Sequence, residues 1–238
     1  EQSPYAFQGN FGLLPRTLTS CSLVFGGAFQ IGTEEEEEEA DFPPNLVKLV
    51  ILNPHMSLGE RSVMKLPKTL RRLSGLLLHL SAEFLLPLLP STLKNLSKAQ
   101  FQRECTKLVL PHVTRADNLH WAVNWNHTHL SGLPSSLKIL DIAIDHQERI
   151  PRWPCIYRQF GAALPPGLTK LDLTGSRPIS HISTRYLPRT LLDLRISAER
   201  FNTDSIRQLP PSLTTLALEQ LERWKIAFSS ALPGTLLH

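Results

Sequence analysis

Three cysteines in 238 residues, none in a C-x-x-C spacing, exclude both a disulfide framework and a zinc or redox pair as the organising element. No Gly-rich phosphate loop, G-x-S-x-G or H-E-x-x-H occurs, so the sequence advertises no nucleotide site, hydrolase elbow or metalloprotease helix. The longest apolar stretch, 76–89, is interrupted by His79, Glu83 and Pro87 and is too short to cross a bilayer. The chain opens at Glu1 with no basic n-region and no apolar signal core. It reads as a fragment or processed product, with a cytoplasmic setting favoured.

Charge is uneven. The formal net charge is +4, but six of the 21 acidic residues stand together at Glu34–Glu39, and the remaining 15 face 25 basic ones. A basic body can attract nucleic acid or an anionic membrane. Here the cations are spread among hydrophobic positions and form no dense cluster or arm, which argues against nucleic acid.

What the sequence has in abundance is one phrase. "LPSSLKILDI" (133–142), "LPPGLTKLDL" (164–173), "LPRTLLDLRI" (187–196) and "LPPSLTTLAL" (209–218) repeat Leu-Pro-x-x-Leu-x-x-Leu-x-Leu. Copies begin at Leu14, Phe42, Leu66, Leu89, Leu133, Leu164, Leu187, Leu209 and Leu232, and a degenerate one, "FQRECTKLVL", begins at Phe101. The best-kept intervals are 22 to 24 residues, the period of a solenoid. Numbered one to ten, the motif alternates apolar residues at eight and ten with polar ones at seven, nine and eleven, the pattern of a strand with one buried face. A single such strand cannot cover its leucines, but stacked copies make a parallel sheet with a continuous core. Proline at position two has no N–H to donate and suits the turn into the strand.

The spacing predicts strands near 49–51, 73–75, 108–110, 140–142, 171–173, 194–196 and 216–218. About a dozen residues remain for each return, too few for a long helix. The return at 198–208 reads as extended or single-turn, and the 31-residue interval after Leu133 has room for a real helix. The stretch 33–40, with its six glutamates, reads as a solvated loop inserted in an otherwise normal return. Cys21 and Cys105 fall at apolar positions and read as small core residues, while Cys155 stands outside the pattern. The serines Ser91, Ser135, Ser136 and Ser212 read as hydrogen-bonding turn residues before the strand.

The Leu-Pro units resemble the leucine-rich-repeat superfamily, and within it the FNIP-type repeats, whose Leu-Pro-x-x-Leu-x-x-Leu step is followed by Phe-Asn. Phe201-Asn202 follows the strand in 187–213, and Phe29-Gln30 echoes it in the first copy. The middle, 101–132, departs from the pattern, and only Asn53 holds the Asn position common in leucine-rich repeats. The resemblance implies an α/β repeat solenoid over 1–238: a horseshoe with a parallel β-sheet on one face and short, irregular or single-turn helical returns. It also implies a non-enzymatic protein-interaction scaffold, bringing with it no catalytic residue and no cofactor.

The outward strand positions form columns. Position seven reads Ser20, Lys48, Arg72, Asn95, Lys107, Ile139, Lys170, Asp193, Thr215; position nine reads Ser22, Val50, Ser74, Ser97, Val109, Asp141, Asp172, Arg195, Ala217. The first half is basic without an acid, and the second brings in Asp141, Asp172, Asp193 and Glu219. Lys48, Arg72, Lys107, Asp141, Lys170, Asp172, Asp193, Arg195 and Glu219 are therefore the candidate partner-binding residues, the partner being a protein of opposite charge order. Each is also a solvated strand residue in its own right, and Lys170 and Asp193 are expected to pair across adjacent strands. The alternative is an enzyme-associated or nucleic-acid-binding module using the basic half. His120, Trp121, Trp125, His127 and His129 lack a third ligand at supporting distance and read as an irregular return, not a metal site. The sequons at Asn95 and Asn126 carry no assignment. At the ends, Leu216, Leu218, Leu221 and Leu236 are expected on an apolar edge prone to self-association, with the natural protein continuing beyond both termini.

Overall fold

The computed structural model describes residues 14–24, 30–31, 41–52, 57–58, 60–75, 77–78, 88–101, 112–121, 130, 132–144, 158–174, 184–197, 203–219 and 234–236. The strands, in chain order, are β1 (Ser20–Val24), β2 (Gln30–Ile31), β3 (Lys48–Leu52), β4 (Ser57–Leu58), β5 (Arg72–Ser74), β6 (Leu77–Leu78) and β7 (Asn95–Ser97). They continue with β8 (Gln100–Phe101), β9 (Arg115–Trp121), β10 (Ile139–Ile144), β11 (Lys170–Leu173), β12 (Asp193–Ser197) and β13 (Thr215–Glu219). All join one sheet, whose main path runs β1-β3-β5-β7-β9-β10-β11-β12-β13, and its described pairs are parallel. Returns carry short helices: α1 (Glu60–Met64), α2 (Arg158–Ala163), α3 (Thr203–Arg207) and the 3-10 turn η1 (Thr184–Tyr186).

The motif explains the coil position by position. The N–H of position five donates to the proline carbonyl of position two, as in Leu46 to Pro43, Leu70 to Pro67, Leu168 to Pro165 and Leu191 to Pro188 (3.0–3.1 Å). Those prolines are buried, and because they lack an N–H they leave no donor orphaned there. The side chains of position five (Leu46, Leu70, Leu93, Leu137, Leu168, Leu191, Leu213) are fully buried, as are those of position eight from Leu49 to Leu194. Position one, from Phe42 to Leu209, and position ten (Ile51, Ile142, Leu173, Ile196) close the core on either side, and Val63, Leu130 and Ile206 line it from the returns. Each full burial of a leucine removes it from water for about 2 kcal/mol.

Adjacent coils are fastened at three positions. The carbonyl of position six accepts both the position-six and position-seven N–H of the next coil, for example Thr19 from Val47 (2.8 Å) and Lys48 (3.1 Å). From position seven onward the strands pair in register. Position four carries a side-chain ladder. Thr69 Oγ1 donates to the carbonyls of Pro44 and Leu46 (both 2.9 Å), Thr92 to Lys68 and Leu70, Thr190 to Pro166 and Leu168, Ser212 to Arg189 and Leu191, and Thr235 to Pro211 and Leu213. Asn45 and Ser136 make single bonds of the same kind, to Arg16 O and Val113 O. Ser136 and Ser212 are thus hydrogen-bonding residues before their strands, and their acceptors lie one coil back, not in their own turns.

The fifth coil corrects the expected register. The 108–110 segment lies outside the described residues, and the place between β7 and β10 is held by β9, which pairs with both. The copy there is "LPHVTRADNL", beginning at Leu110, 21 residues after Leu89 and 23 before Leu133. It has one residue fewer between the proline and Val113, and His112 turns the corner with φ 65°. It has one residue more in the strand: Ala116 opposes Leu140 and Leu119 opposes Ile142, so β9 advances three residues where β10 advances two. The bulge restores the ten-residue length and returns Leu119 to the core.

The first half adds a second, shorter ladder, β2-β4-β6-β8, which ends on the far part of β9. In the third and fourth coils the chain bends at position ten, at Gly75 (φ 81°) and Lys98 (φ 50°). A Cβ on Gly75 would lie 1.6 Å from the carbonyl oxygen of Ile51, so this corner admits only glycine. Cys21 is buried as expected, and burial raises its thiol pKa above the ordinary value, keeping it neutral and inert. Cys105 and Cys155 lie outside the described residues, as does the acidic stretch 33–40. At the last strand Leu216 and Leu218 are half-buried where Leu194 and Ile196, one coil inward, are buried, and Leu236 is half-buried too. Leu221 lies outside the described residues.

The ladder gives a direct expectation. Thr190→Val keeps the shape and removes the donor to one exposed and one part-buried carbonyl, and is expected to cost about 1 kcal/mol in urea unfolding, whereas Thr190→Ser costs less than about 0.5 kcal/mol. Equal effects of the two changes would show that the hydroxyl contributes nothing.

Candidate outward face of the sheet

The stack fixes which side chains leave the core. With positions five and eight turned inward, positions seven and nine face out along every main strand, flanked by position six, which precedes the strand, and position three in the turn. Lys48 and Arg72 are exposed and directly opposite each other in register. The amide of Asn95, the next residue in that column, accepts from Arg72 Nε (3.3 Å) and donates to the carbonyl of Lys94 (3.2 Å). Asn95 is thus committed within the sheet.

Lys107 lies outside the described residues, and its place in the column belongs to Arg115, which opposes Asn95 on one side and Ile139 on the other. Arg115 Nε pairs with the carboxylate of Asp117, two residues on in the same strand. The acids therefore enter one coil earlier than the columns suggest.

Four expected residues do come together. Lys170 opposes Asp193, and Asp172 opposes Arg195, on β11 and β12. Lys170 Nζ is 3.4 Å from Asp193 Oδ2; Arg195 Nε is 3.3 Å from Asp193 Oδ1 and 3.9 Å from Asp172 Oδ2. Signs alternate around this square, so its net charge is zero. Asp172 Oδ1 also accepts from the backbone N–H (3.1 Å) and hydroxyl (2.7 Å) of Thr174, the turn residue that follows the strand. Asp141 stands beside Asp172 in register, one coil away. Glu219 is exposed at the end of β13, opposite Ser197 and apart from the square.

The first four coils differ. Position three adds Arg16 and Lys68 to the face, and position six adds Arg71 and Lys94, all exposed. Reading only positions seven and nine overlooks these four, although the same motif numbering identifies them. Among the described residues none of them, nor Lys48 or Arg72, has an ion-pair partner.

Among the described residues no three His, Cys, Asp or Glu side chains gather as a metal site would require. His120 and Trp121 sit in β9 beside Gln100 and Phe101 of β8, while Trp125, His127 and His129 lie outside the described residues. Among the described residues no helix is long and apolar enough to cross a membrane.

With this geometry the chain aligns to the crystal structure of CroV588, a circular leucine-rich-repeat protein, at TM-score 0.50 and 19% identity, over 97% of this chain and 37% of that one. The fold is a leucine-rich-repeat solenoid. The chain spans 37% of that neighbour's length. Weaker likenesses are to the TLR13–ssRNA13 complex (TM-score 0.41, 17% identity, 82% of this chain and 40% of that one) and to an internalin, InlF, of Listeria monocytogenes (0.34, 12%, 93% and 86%). No family model and no curated protein sequence matches the chain.

The charge square has a measurable worth. A double-mutant cycle with Lys170→Ala and Asp193→Ala should give a coupling of about 0.5 kcal/mol, partly solvated as the pair is. The coupling should shrink when salt cuts the Debye length from about 10 Å to about 3 Å. A coupling of zero at low salt would mean that the pair is not formed in solution.

Proposed function

We propose that the chain is a non-enzymatic protein-interaction module that holds a partner protein on the outward face of its sheet. The observation that carries this reading is the division of labour within each unit. Positions one, five and eight and the position-four ladder hold the coils together, while positions seven and nine of the nine main-path strands are left as a largely polar, pre-ordered surface. A rigid surface of that kind binds without the cost of ordering itself. The Leu-Pro step followed by Phe201-Asn202 makes FNIP-type repeats the subfamily we favour. The half-buried Leu216, Leu218 and Leu236 are in keeping with self-association at that end as a secondary property.

The competing reading, nucleic acid on the basic half, finds less support. No aromatic side chain stands at position seven or nine of any main strand, so no base-stacking platform is available there.

A photoreactive residue placed at Ser74, on the face, is expected to cross-link a protein partner that the same residue at Arg207, on a return helix, does not reach. Adducts formed only from the Arg207 position would overturn the assignment of the face. Adducts that vanish on nuclease treatment would overturn the assignment of the partner class.

A further inference from the structure

The outward positions three, six, seven and nine of the first four coils contain six basic residues, Arg16, Lys48, Lys68, Arg71, Arg72 and Lys94, and no acid. All six are exposed. In the second half of the same sheet the strand cations are neutralised on the face itself, Lys170 by Asp193 and Arg195 by Asp172 and Asp193. Lys138 and Arg189, at positions six and three of the second half, are exposed without an ion pair among the described residues, but they stand among acids, whereas the first four coils hold six cations and no acid. Like charges on neighbouring strands repel, and Lys48 directly opposes Arg72. A bound anion would turn that repulsion into attraction.

We propose that the first four coils take an acidic, extended peptide segment of the partner protein. The proposal rests on the outward face being the partner-binding surface. Shape and spacing favour an extended acidic chain. Position nine of these coils carries Ser22, Val50, Ser74 and Ser97, small side chains that leave a shallow lane beside the cations. Coils stack about 4.8 Å apart, while alternate side chains of an extended peptide recur roughly every 7 Å. Long, flexible Lys and Arg side chains absorb that mismatch, so several carboxylates can be met at once. None of the sixteen outward positions is aromatic, which removes the stacking that single-stranded nucleic acid uses and leaves carboxylate recognition as the better fit.

The test is fluorescence anisotropy of a labelled octaglutamate peptide titrated with the full chain. The chain's own Glu34–Glu39 run carries the same charge, so a form with those six changed to glutamine is titrated in parallel. Binding by at least this second form is expected, weakening as salt is raised. Lys48→Glu with Arg72→Glu should weaken it by roughly tenfold or more, and Arg185→Glu with Arg207→Glu, the same charge change placed on the returns, by less than about twofold. Thermal melting of each variant checks that the fold is kept. Equal loss in both double variants, or no binding by either form, overturns the proposal. So does an oligothymidylate of equal charge that binds more tightly and is lost with the Lys48/Arg72 pair. If the peptide fails while a residue at Ser74 still cross-links a protein partner, the face survives as the binding surface and only the acidic segment falls.

Discussion

Directional hydrogen bonding across each coil boundary is the constraint on which the alignment of this solenoid depends, and at five boundaries a side-chain hydroxyl reaching back adds to the backbone bonds. Leucine burial supplies most of the driving force, but apolar contact has no direction, and a stack held by it alone could slip. The backbone bonds from position six onward and the position-four donors remove that freedom. Thr69, Thr92, Thr190, Ser212 and Thr235 each place one oxygen between two carbonyls of the preceding turn, those of positions three and five. The acceptors flank the position-four residue of the coil behind, so the motif is held one whole unit out of step with itself. Together with the backbone bonds from position six onward, which alone hold β10 and β11 in register beside Gly167, these hydroxyls keep the outward columns straight.

The two halves then diverge for local reasons. Bends at Gly75 and Lys98 turn the third and fourth coils early and give the first half a second ladder, whereas β9 carries a bulge in place of a bend and pairs with both ladders along its length. Beyond β9 no second ladder stands beside the main strands among the described residues, and on β11 and β12 the charges are matched across the sheet. Before it, the outward positions keep their cations uncompensated. The change in backbone geometry and the change in charge pattern coincide at the fifth coil, where Arg115 and Asp117 form the first ion pair on the face.

The period and the alternation of positions seven to ten were legible because they follow from burial, which acts on each residue separately. They placed the strands from 139 onward to within a residue or two and identified Lys170 and Asp193 as partners. The fifth coil was not legible from a fixed template. Leu110-Pro111 was present in the sequence, but its turn is one residue short, and the bulge that compensates lies seven residues away. That displaced Lys107 into a position that belongs to Arg115. The ladder was legible in part: serine before a strand signals hydrogen bonding, but whether the acceptor lies in the same turn or one coil back is a three-dimensional fact. The cations at positions three and six were overlooked because strand alternation says nothing about the turn that precedes it.

Gly167 is the position-four residue that has no side chain. A Cβ there would lie 3.5 Å from the carbonyl oxygen of Ser135, the position-three acceptor of the coil behind, and 2.8 Å from Lys138 Nζ, the movable end of a side chain that now donates to Gly167 O (3.2 Å). The most direct measurement is the urea stability of Gly167→Ser against Gly167→Ala, which separates the hydroxyl from the general effect of replacing glycine. If the hydroxyl ladder aligns the coils, serine should exceed alanine by about 1 kcal/mol, with the Lys138 ammonium displaced into water. Serine equal to or below alanine would contradict the account.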